Sequence, residues 1–291
     1  MAGGPQAAGA SCTPALAGTL IRGLAVMDVL LGARQPLSLI EVAQQVGLDQ
    51  STTLRLLRTL ESAGQVMRIK DGKRYLASPK AMRPLSLRHP LEQFRRDCSQ
   101  LLRQLSTRLS STVVLVVFLG VERLVLDVVQ TASSLTPYYE PWLSGPWHAS
   151  GPGKSLLLSL SDAERQALLG PEPYTAITPH TLVSWEAVSR NLDAAAQAGV
   201  VTVRDEFYEG LTAVAANYAD EEGHVLGCIA ITGHSCDMDD AAIARVAQEL
   251  TITTRLMPFQ SSAMSELRGF AGSALGRAAG HRTTDRGRRN A

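Results

Sequence analysis

An α+β chain in two unequal parts is predicted by three features of the 291-residue sequence. Short helical periods closed by a two-stranded pattern fill the first quarter. One long amphipathic helical pattern comes next. Beyond it the apolar period switches from 3.6 to 2, with helical segments interspersed, the signature of an antiparallel sheet packed against helices. With 45% hydrophobic and 19% charged residues the chain can bury real cores, which excludes wholesale disorder.

Residues 1–18 are Gly/Ala-rich, contain no Lys or Arg and lack the long apolar core of a signal peptide, so they read as a disordered extension. Leu20, Leu24, Met27 and Val29-Leu30-Leu31 give a helix over Thr19 to Gly32. Ser38 stands three residues before Glu41, a capping box that satisfies free amides at a second helix start, and Ile40, Ala43 and Val46 line one face before Gly47 ends it. Asp49 is a natural N-cap for a third helix through Leu54, Leu57 and Leu60 to Gly64. Two short helices joined by Gly47-Leu48-Asp49 form a helix-turn-helix. Gln65 to Lys70 then alternates, Asp71-Gly72 signals a tight turn, and Lys73 to Leu76 returns, adding a wing. Residues 19–78 are therefore read as a winged helix-turn-helix domain.

Pro79, Pro84 and Pro90 interrupt regular structure, and the pattern Leu91, Phe94, Cys98, Leu101-Leu102, Leu105, Leu109 gives a connecting helix, so residues 79–110 are read as linker. In the body, residues 111–260, the expected strands are Val113 to Leu119, Leu124 to Val129, Val200 to Arg204, Leu211 to Ala216 and Val225 to Thr232. The expected helices are Lys154 to Leu160, Ser161 to Leu169, Trp185 to Ala198 and Asp239 to Leu256. The longest notable apolar run, Val113 to Val121, falls well short of the roughly 20 residues a membrane span needs, so no membrane partner is expected. Residues 261–291 read as a basic, disordered tail. Four cysteines with no CxxC spacing point to a reduced, cytoplasmic setting.

The formal net charge of +1 averages over a segregation. Residues 19 to 88 carry 11 basic and 5 acidic side chains, residues 89 to 262 carry 11 basic and 20 acidic, and residues 263 to 291 carry 6 basic and 2 acidic. A basic front end on an acidic body suits a nucleic-acid reader joined to something else.

Taken together, "IRGLAVMDVLL", "LSLIEVAQQVGLDQSTTLRLLRTLESAGQVMR", "WHASGPGKSLL", "TPHTL", "AGVVTVRDEFYEGLTAVAA" and "GHVLGCIAITG" stand in an order that resembles the IclR family of bacterial transcriptional regulators, over about residues 19 to 258. The resemblance implies a winged helix, a linker helix and a GAF-like effector-binding domain with a central antiparallel sheet. It also implies a homodimer or homotetramer that binds double-stranded operator DNA and answers to a small-molecule effector.

On the reading surface, Gln50, Ser51, Thr52, Thr53 and Arg55 occupy the opening of the helix that would enter the major groove. Gln50 and Arg55 are the expected base readers, since Gln matches an adenine edge and Arg a guanine edge. Ser51, Thr52 and Arg22 are expected on phosphates, as similar positions in the family suggest. Lys70, Lys73 and Arg74 on the wing are expected on backbone or minor groove, and for each residue of this surface a solvated surface position is the alternative.

In the body, His148 to Ser155 imitates a phosphate-binding loop, but His148 occupies the place of its first Gly. Amides around Gly151 to Lys154 could still receive a carboxylate at a helix start; the loop also reads as a tight turn needing glycine, and the two are compatible. Neither a G-x-S-x-G elbow nor a metal-ligand histidine spacing is present, and Asp205 and Glu206 at i and i+1 would face apart, so no catalytic residue, metal or cofactor is expected. The resemblance makes Asp205 a pocket-wall candidate. Where many family members have Cys and Pro before the last central strand this chain has Ala213 and Asn217, and where members binding small keto acids have a serine pair it has Ala230 and Thr232. Tyr138, Tyr139, Trp142 and Trp147 cluster ahead of the glycine loop, as pocket lining or as ordinary core. The expected effector residues are Trp147, His148, Gly151, Gly153, Asp205, Ala213, Ala230 and Thr232. The expected function is a ligand-responsive regulator, repressing a catabolic operon and sensing a small organic acid, an aromatic one by the pocket's composition. The alternative is a small-molecule-binding or hydrolytic enzyme with an accessory winged helix.

Overall fold

The computed structural model describes residues 17–33, 35–69, 73–81, 86–131, 143 and 145–271. The chain separates into two compact units, one ending at Pro84 and the other starting at Leu85.

In the first unit, α1 (Gly18–Gly32) turns Val26, Met27 and Leu30 inward. The capping box that opens α2 (Leu39–Val46) has formed: Glu41 N–H donates to Ser38 Oγ at 3.3 Å and Ser38 N–H to Glu41 Oε2 at 2.6 Å. Gly47 closes α2 at φ +68°, a left-handed conformation costly for a side chain. Asp49 caps α3 (Gln50–Ser62) by accepting from Thr52 N–H at 2.8 Å. The wing is the antiparallel pair β2 (Val66–Ile69) and β3 (Arg74–Ala77), with the tip, including Lys70, outside the described residues. A two-residue strand, β1 (Leu37–Ser38), pairs with β3 and makes the order β1-β3-β2; at two residues it is too short to show any alternation in sequence. Leu37, Val42, Leu56, Leu57, Val66 and Tyr75 close the core.

The second unit begins with α4 (Pro90–Leu109), whose buried stripe Leu91, Phe94, Cys98, Leu101, Leu102 and Leu105 follows helical spacing. It lies on a five-stranded antiparallel sheet in the order β5-β4-β8-β7-β6. Its strands are β4 (Thr112–Leu119), β5 (Glu122–Val129), β6 (Val201–Arg204), β7 (Leu211–Ala219) and β8 (Val225–His234). Val113, Leu115, Val117, Ile229 and Ile231 face α4, α8 (Asp240–Leu256) and α9 (Met264–Ala271). Val114, Val116, Phe118, Cys228 and Ala230 face the opposite side, covered by α5 (Gly151–Leu158) and α7 (Trp185–Ala198), with α6 (Asp162–Leu169) beyond. Burial on both faces is why β4 reads as an unbroken apolar run.

One expectation is corrected. The stretch just beyond residue 260 is structured: Ala263, Met264 and Leu267 are buried in the core shared with α4 and β4. Apolar residues at i, i+3 and i+6 make α9 a packed helix, and the Gly/Ala/Arg composition of the whole stretch conceals that short pattern.

At the sheet's centre, Tyr218 Oη donates to Val116 O at 3.0 Å across Gly227, where a Cβ would collide with that same carbonyl oxygen. Backbone and a fully buried Tyr cannot both move aside. Gly227→Ala is expected to lower unfolding free energy by about 3 kcal/mol or more, read as a reduced denaturation midpoint with an unchanged m-value.

Candidate functional site

The opening of α3 is built by Asp49. Its carboxylate accepts from Ser51 Oγ at 2.6 Å and Thr52 N–H at 2.8 Å, and these bonds, Ser51's first, hold the carboxyl well below the usual range. With the cap fixed, Gln50, Ser51 and Arg55 are exposed and Thr52 is half-buried. Thr53 is corrected: it is fully buried, and its Oγ1 donates to Asp49 O at 2.9 Å, so it serves the helix start rather than the surface. Arg22 is exposed on α1, and Lys73 is exposed at φ +52° beside the wing tip. Arg74 turns back, donating to Pro36 O at 2.9 Å and pairing with Glu41 at 3.4 Å, which ties the wing to the start of α2.

In the body, Ala213 pairs with Thr232 and Ala215 with Ala230, so strand alternation puts Ala213, Ala230 and Thr232 on the sheet face under α5. Gly151 opens α5 where a Cβ would touch those of Ala213 and Ala215 at 3.5 and 3.7 Å. Gly153 is required by packing, since a Cβ there would lie 2.5 Å from Trp147 O. Two of the loop's amides are committed: Gly153 N–H donates to Ser150 Oγ and Lys154 N–H to Ser150 O, while Pro152 has none. These bonds form the tight turn of the loop. His148 is buried, with Nε2 at 3.0 Å from Thr175 O and its ring 5.3 Å from that of Tyr174; burial pushes its pKa down, so the neutral ring donates there. Asp205 sits apart in the turn after β6 at φ +58°, accepting from Gly210 N–H at 2.7 Å and Ser235 Oγ at 2.8 Å. Thr232 is 4% exposed and its Oγ1 has no partner. It also borders a cleft of about 260 Å³ with Ser110, Gly233, Met238 and Arg245. Tyr138, Tyr139 and Trp142 lie outside the described residues.

Two features escaped the sequence. Arg123 is 3% exposed; it donates to Ser150 Oγ at 3.1 Å, to Leu143 O at 3.0 Å and to Gly145 O, and its guanidinium lies 5.6 Å from the centre of the Trp147 ring. It therefore shapes the whole approach to α5. The second is an ion pair inside the body. Lys154 Nζ donates to Glu206 Oε1 at 2.7 Å, to Oε2 at 2.8 Å and to Asn191 Oδ1 at 2.8 Å, with no exposed lysine surface. Burial pulls Lys154 down from the ordinary lysine value and pushes Glu206 up, each opposed by its partner. A lone lysine in the apolar stretch Gly151–Leu158 is the signal that could have flagged a buried partner. Burial likewise pushes the Cys228 thiol up to about 12, which leaves it protonated at neutral pH.

Residues 92–257 match the family model of the bacterial transcriptional regulator IclR C-terminal domain, and residues 19–69 match the IclR helix-turn-helix domain. The chain belongs to the IclR family. It is 28% identical to the probable transcriptional regulator SauR of Cupriavidus necator over 72% of this chain and 84% of that one. It is equally 28% identical to the transcriptional repressor IclR of Escherichia coli, over 80% and 89%. Among solved structures, an IclR homolog of Microbacterium hydrocarbonoxydans complexed with 4-hydroxybenzoate superposes with a TM-score of 0.70 at 20% identity, covering 84% of this chain and all of that one. As an IclR-family member the chain is a DNA-binding transcriptional regulator, and its relatives are regulators rather than enzymes. No helix among the described residues is long and apolar enough to cross a membrane.

For this regulator's body the ion pair has a measurable consequence. Lys154→Met is expected to cost about 3–5 kcal/mol by stranding Glu206, whereas Lys154→Met with Glu206→Leu recovers most of that loss. In Glu206→Gln the lysine alone remains. Its folded pKa is depressed, so stability it withholds at pH 7 returns as pH rises toward the unfolded value of 10.5. The deficit of Glu206→Gln relative to wild type should therefore shrink between pH 7 and pH 10, read by urea denaturation at each pH.

Proposed function

We propose that this regulator is a repressor of a catabolic operon that binds a palindromic operator as a homodimer or homotetramer and responds to a small organic acid, an aromatic one. The DNA reading is carried by the start of α3, where the Asp49 cap leaves Gln50, Ser51 and Arg55 exposed. Gln50 and Arg55 read base edges; Arg22, Ser51 and Thr52 hold phosphates; Lys70 and Lys73 supply wing contacts, and Arg74 ties the wing to the start of α2. The effector reading is supported by the sheet face under α5. There the small side chains of Ala213 and Ala230 and the unpartnered hydroxyl of Thr232 lie on the face that α5 covers, and the Trp147 ring is held by Arg123 in the loop leading to that helix. An apolar surface with an aromatic wall and few polar groups suits a flat acid better than a small, highly hydrated one. The related Microbacterium protein was crystallised with 4-hydroxybenzoate.

Arg55→Ala should lose about 1–3 kcal/mol of discrimination between operator and scrambled duplex, whereas Lys73→Ala should weaken both alike and reduce the salt slope by about one unit. Unchanged operator preference in Arg55→Ala, measured in salt-titrated mobility shifts, rejects the assignment of the reading face. For the effector, thermal denaturation across aromatic and short aliphatic acids should show stabilisation by an aromatic acid, reaching about 2.7 kcal/mol at a hundredfold excess over Kd, with the same acid altering operator binding. Stabilisation by short aliphatic acids alone sinks the aromatic reading.

A further inference from the structure

We propose that the cleft between the end of α4 and the start of α8 binds a small zwitterion, an α-amino acid with a short apolar side chain. The site is separate from the effector face under α5, and the inference does not depend on that reading. The cleft holds about 260 Å³. Pockets for drug-sized ligands run from about 300 to 1,000 Å³, so the ligand here is small. Its floor is apolar, with Met238 and Val246 buried and Leu109 half-buried. All three belong to the core between the sheet and α4, whereas Ala213 and Ala230 lie on the opposite face of the sheet. Thr232 belongs to both regions, because β8 carries its backbone past the cleft while strand alternation turns it, with Ala230, toward α5.

The charges at the mouth select the ligand. Asp237 and Arg245 both border the cleft and both are exposed, yet among the described residues neither has an ion-pair partner. Their charged neighbours are committed. Arg108 holds Glu249, one turn beyond Arg245, at 2.8 Å; Asp239 accepts from Ala242 N–H at 2.7 Å as the cap of α8; and Arg204 reaches Asp240 at 3.4 Å. A carboxylate and a guanidinium that line one small cleft without meeting each other present opposite charges to whatever lies between them. The carboxylate of Asp237 accepts from an ammonium, and the fork of Arg245 matches a second carboxylate. His234, also exposed, completes the polar mouth.

Other small ligands use this pattern less well. A simple anion gains Arg245 but faces Asp237, a simple amine does the reverse, and a dicarboxylate brings a second negative charge to Asp237. A ligand of both signs pairs with both residues. With its head group at the mouth, a side chain of a few carbons lies on Leu109, Met238 and Val246. Each methylene buried there is worth about fourfold in affinity, so binding should strengthen from glycine through alanine to valine and leucine. Gly233 keeps this floor in place, since a Cβ there would come within 3.1 Å of Met238 Cγ.

Isothermal titration calorimetry on the full chain tests the site. The probes are L-leucine, L-valine, L-alanine and glycine, beside two single-charge relatives of leucine, 4-methylpentanoate and 3-methylbutylamine. Leucine or valine should bind, with affinity falling toward glycine, and each single-charge relative should bind about tenfold more weakly or worse. Arg245→Gln and Asp237→Asn, both at exposed positions, should each weaken the amino acid about tenfold or more and leave the urea midpoint unchanged. Absence of binding by all four amino acids at millimolar concentration overturns the proposal. So does amino-acid affinity that both variants leave within about twofold of wild type, or 4-methylpentanoate binding as tightly as leucine. Thermal stabilisation by an aromatic acid is read on the same variants. Kept in Arg245→Gln while leucine binding is lost, it supports a site apart from the effector face; lost together with leucine binding, it places both ligands in one site and overturns the separate one.

Discussion

The arrangement of the sensing body depends on burying the ammonium of Lys154. Three donors on Nζ meet Glu206 Oε1, Glu206 Oε2 and Asn191 Oδ1, so the one lysine of α5 joins the turn after β6 to α7. A charge without partners in that position would cost several kcal/mol, which leaves α5 one rotational setting. With Lys154 directed at Glu206, Gly151 is pressed against Ala213 and Ala215, and Ser150 caps the helix through Gly153. That turn fixes Trp147, and Arg123 closes the loop through Ser150, Leu143 and Gly145. The loop's glycines are thus explained by close packing around one ion pair. The turn itself is held from the other side, because Thr178 and Thr181 donate their hydroxyls to the carbonyls of Asp205 and Glu206.

The first unit applies the same logic at smaller scale. Polar residues crowd the opening of α3, and the Asp49 cap divides them by partner. Ser51 Oγ and the Thr52 amide bond its carboxylate, Thr53 Oγ1 bonds its carbonyl, and Gln50 is left to solvent. Arg74 makes a parallel division among the cations. By bonding Pro36 O and Glu41 it also holds the carboxylate that caps α2, so wing and first helix of the motif share one ion. A cap therefore decides which polar side chains remain for recognition.

Most of the fold was legible because local rules and tertiary context agree in it. The Ser38 to Glu41 spacing, Gly47 and Asp49 delimit helices by backbone hydrogen-bond chemistry alone, and the period change after Leu109 marks the sheet. The features that escaped depend on partners distant in sequence. Glu206 lies 52 residues from Lys154, and the two meet only once β6 has paired with β7. Arg123 looks in sequence like the polar end of a strand, since its bonds run to carbonyls 20 and 22 residues on. Thr53 is hard to assign from sequence because an exposed and a buried hydroxyl in the first turn differ by one step of about 100° around the helix. The strand β1, at two residues, shows no alternation, and the short apolar pattern of α9 is hidden in a stretch of Gly/Ala/Arg composition.

The charge distribution is used locally within the folded body. Whole-chain charge is +1, and at physiological salt the Debye length is only about 8 Å, so a distant surplus or deficit does not reach the DNA. Location matters more than total. Arg268 pairs with Asp220 and Glu222, which offsets part of the negative charge of the β7–β8 turn of the acidic body while holding α9 down. The five arginines that come after it have one nearby acid in sequence, Asp285. At 268 arginine is paired and positions a helix, so a charge of the basic C-terminal stretch is spent inside the folded body, on two carboxylates 48 and 46 residues earlier in the chain.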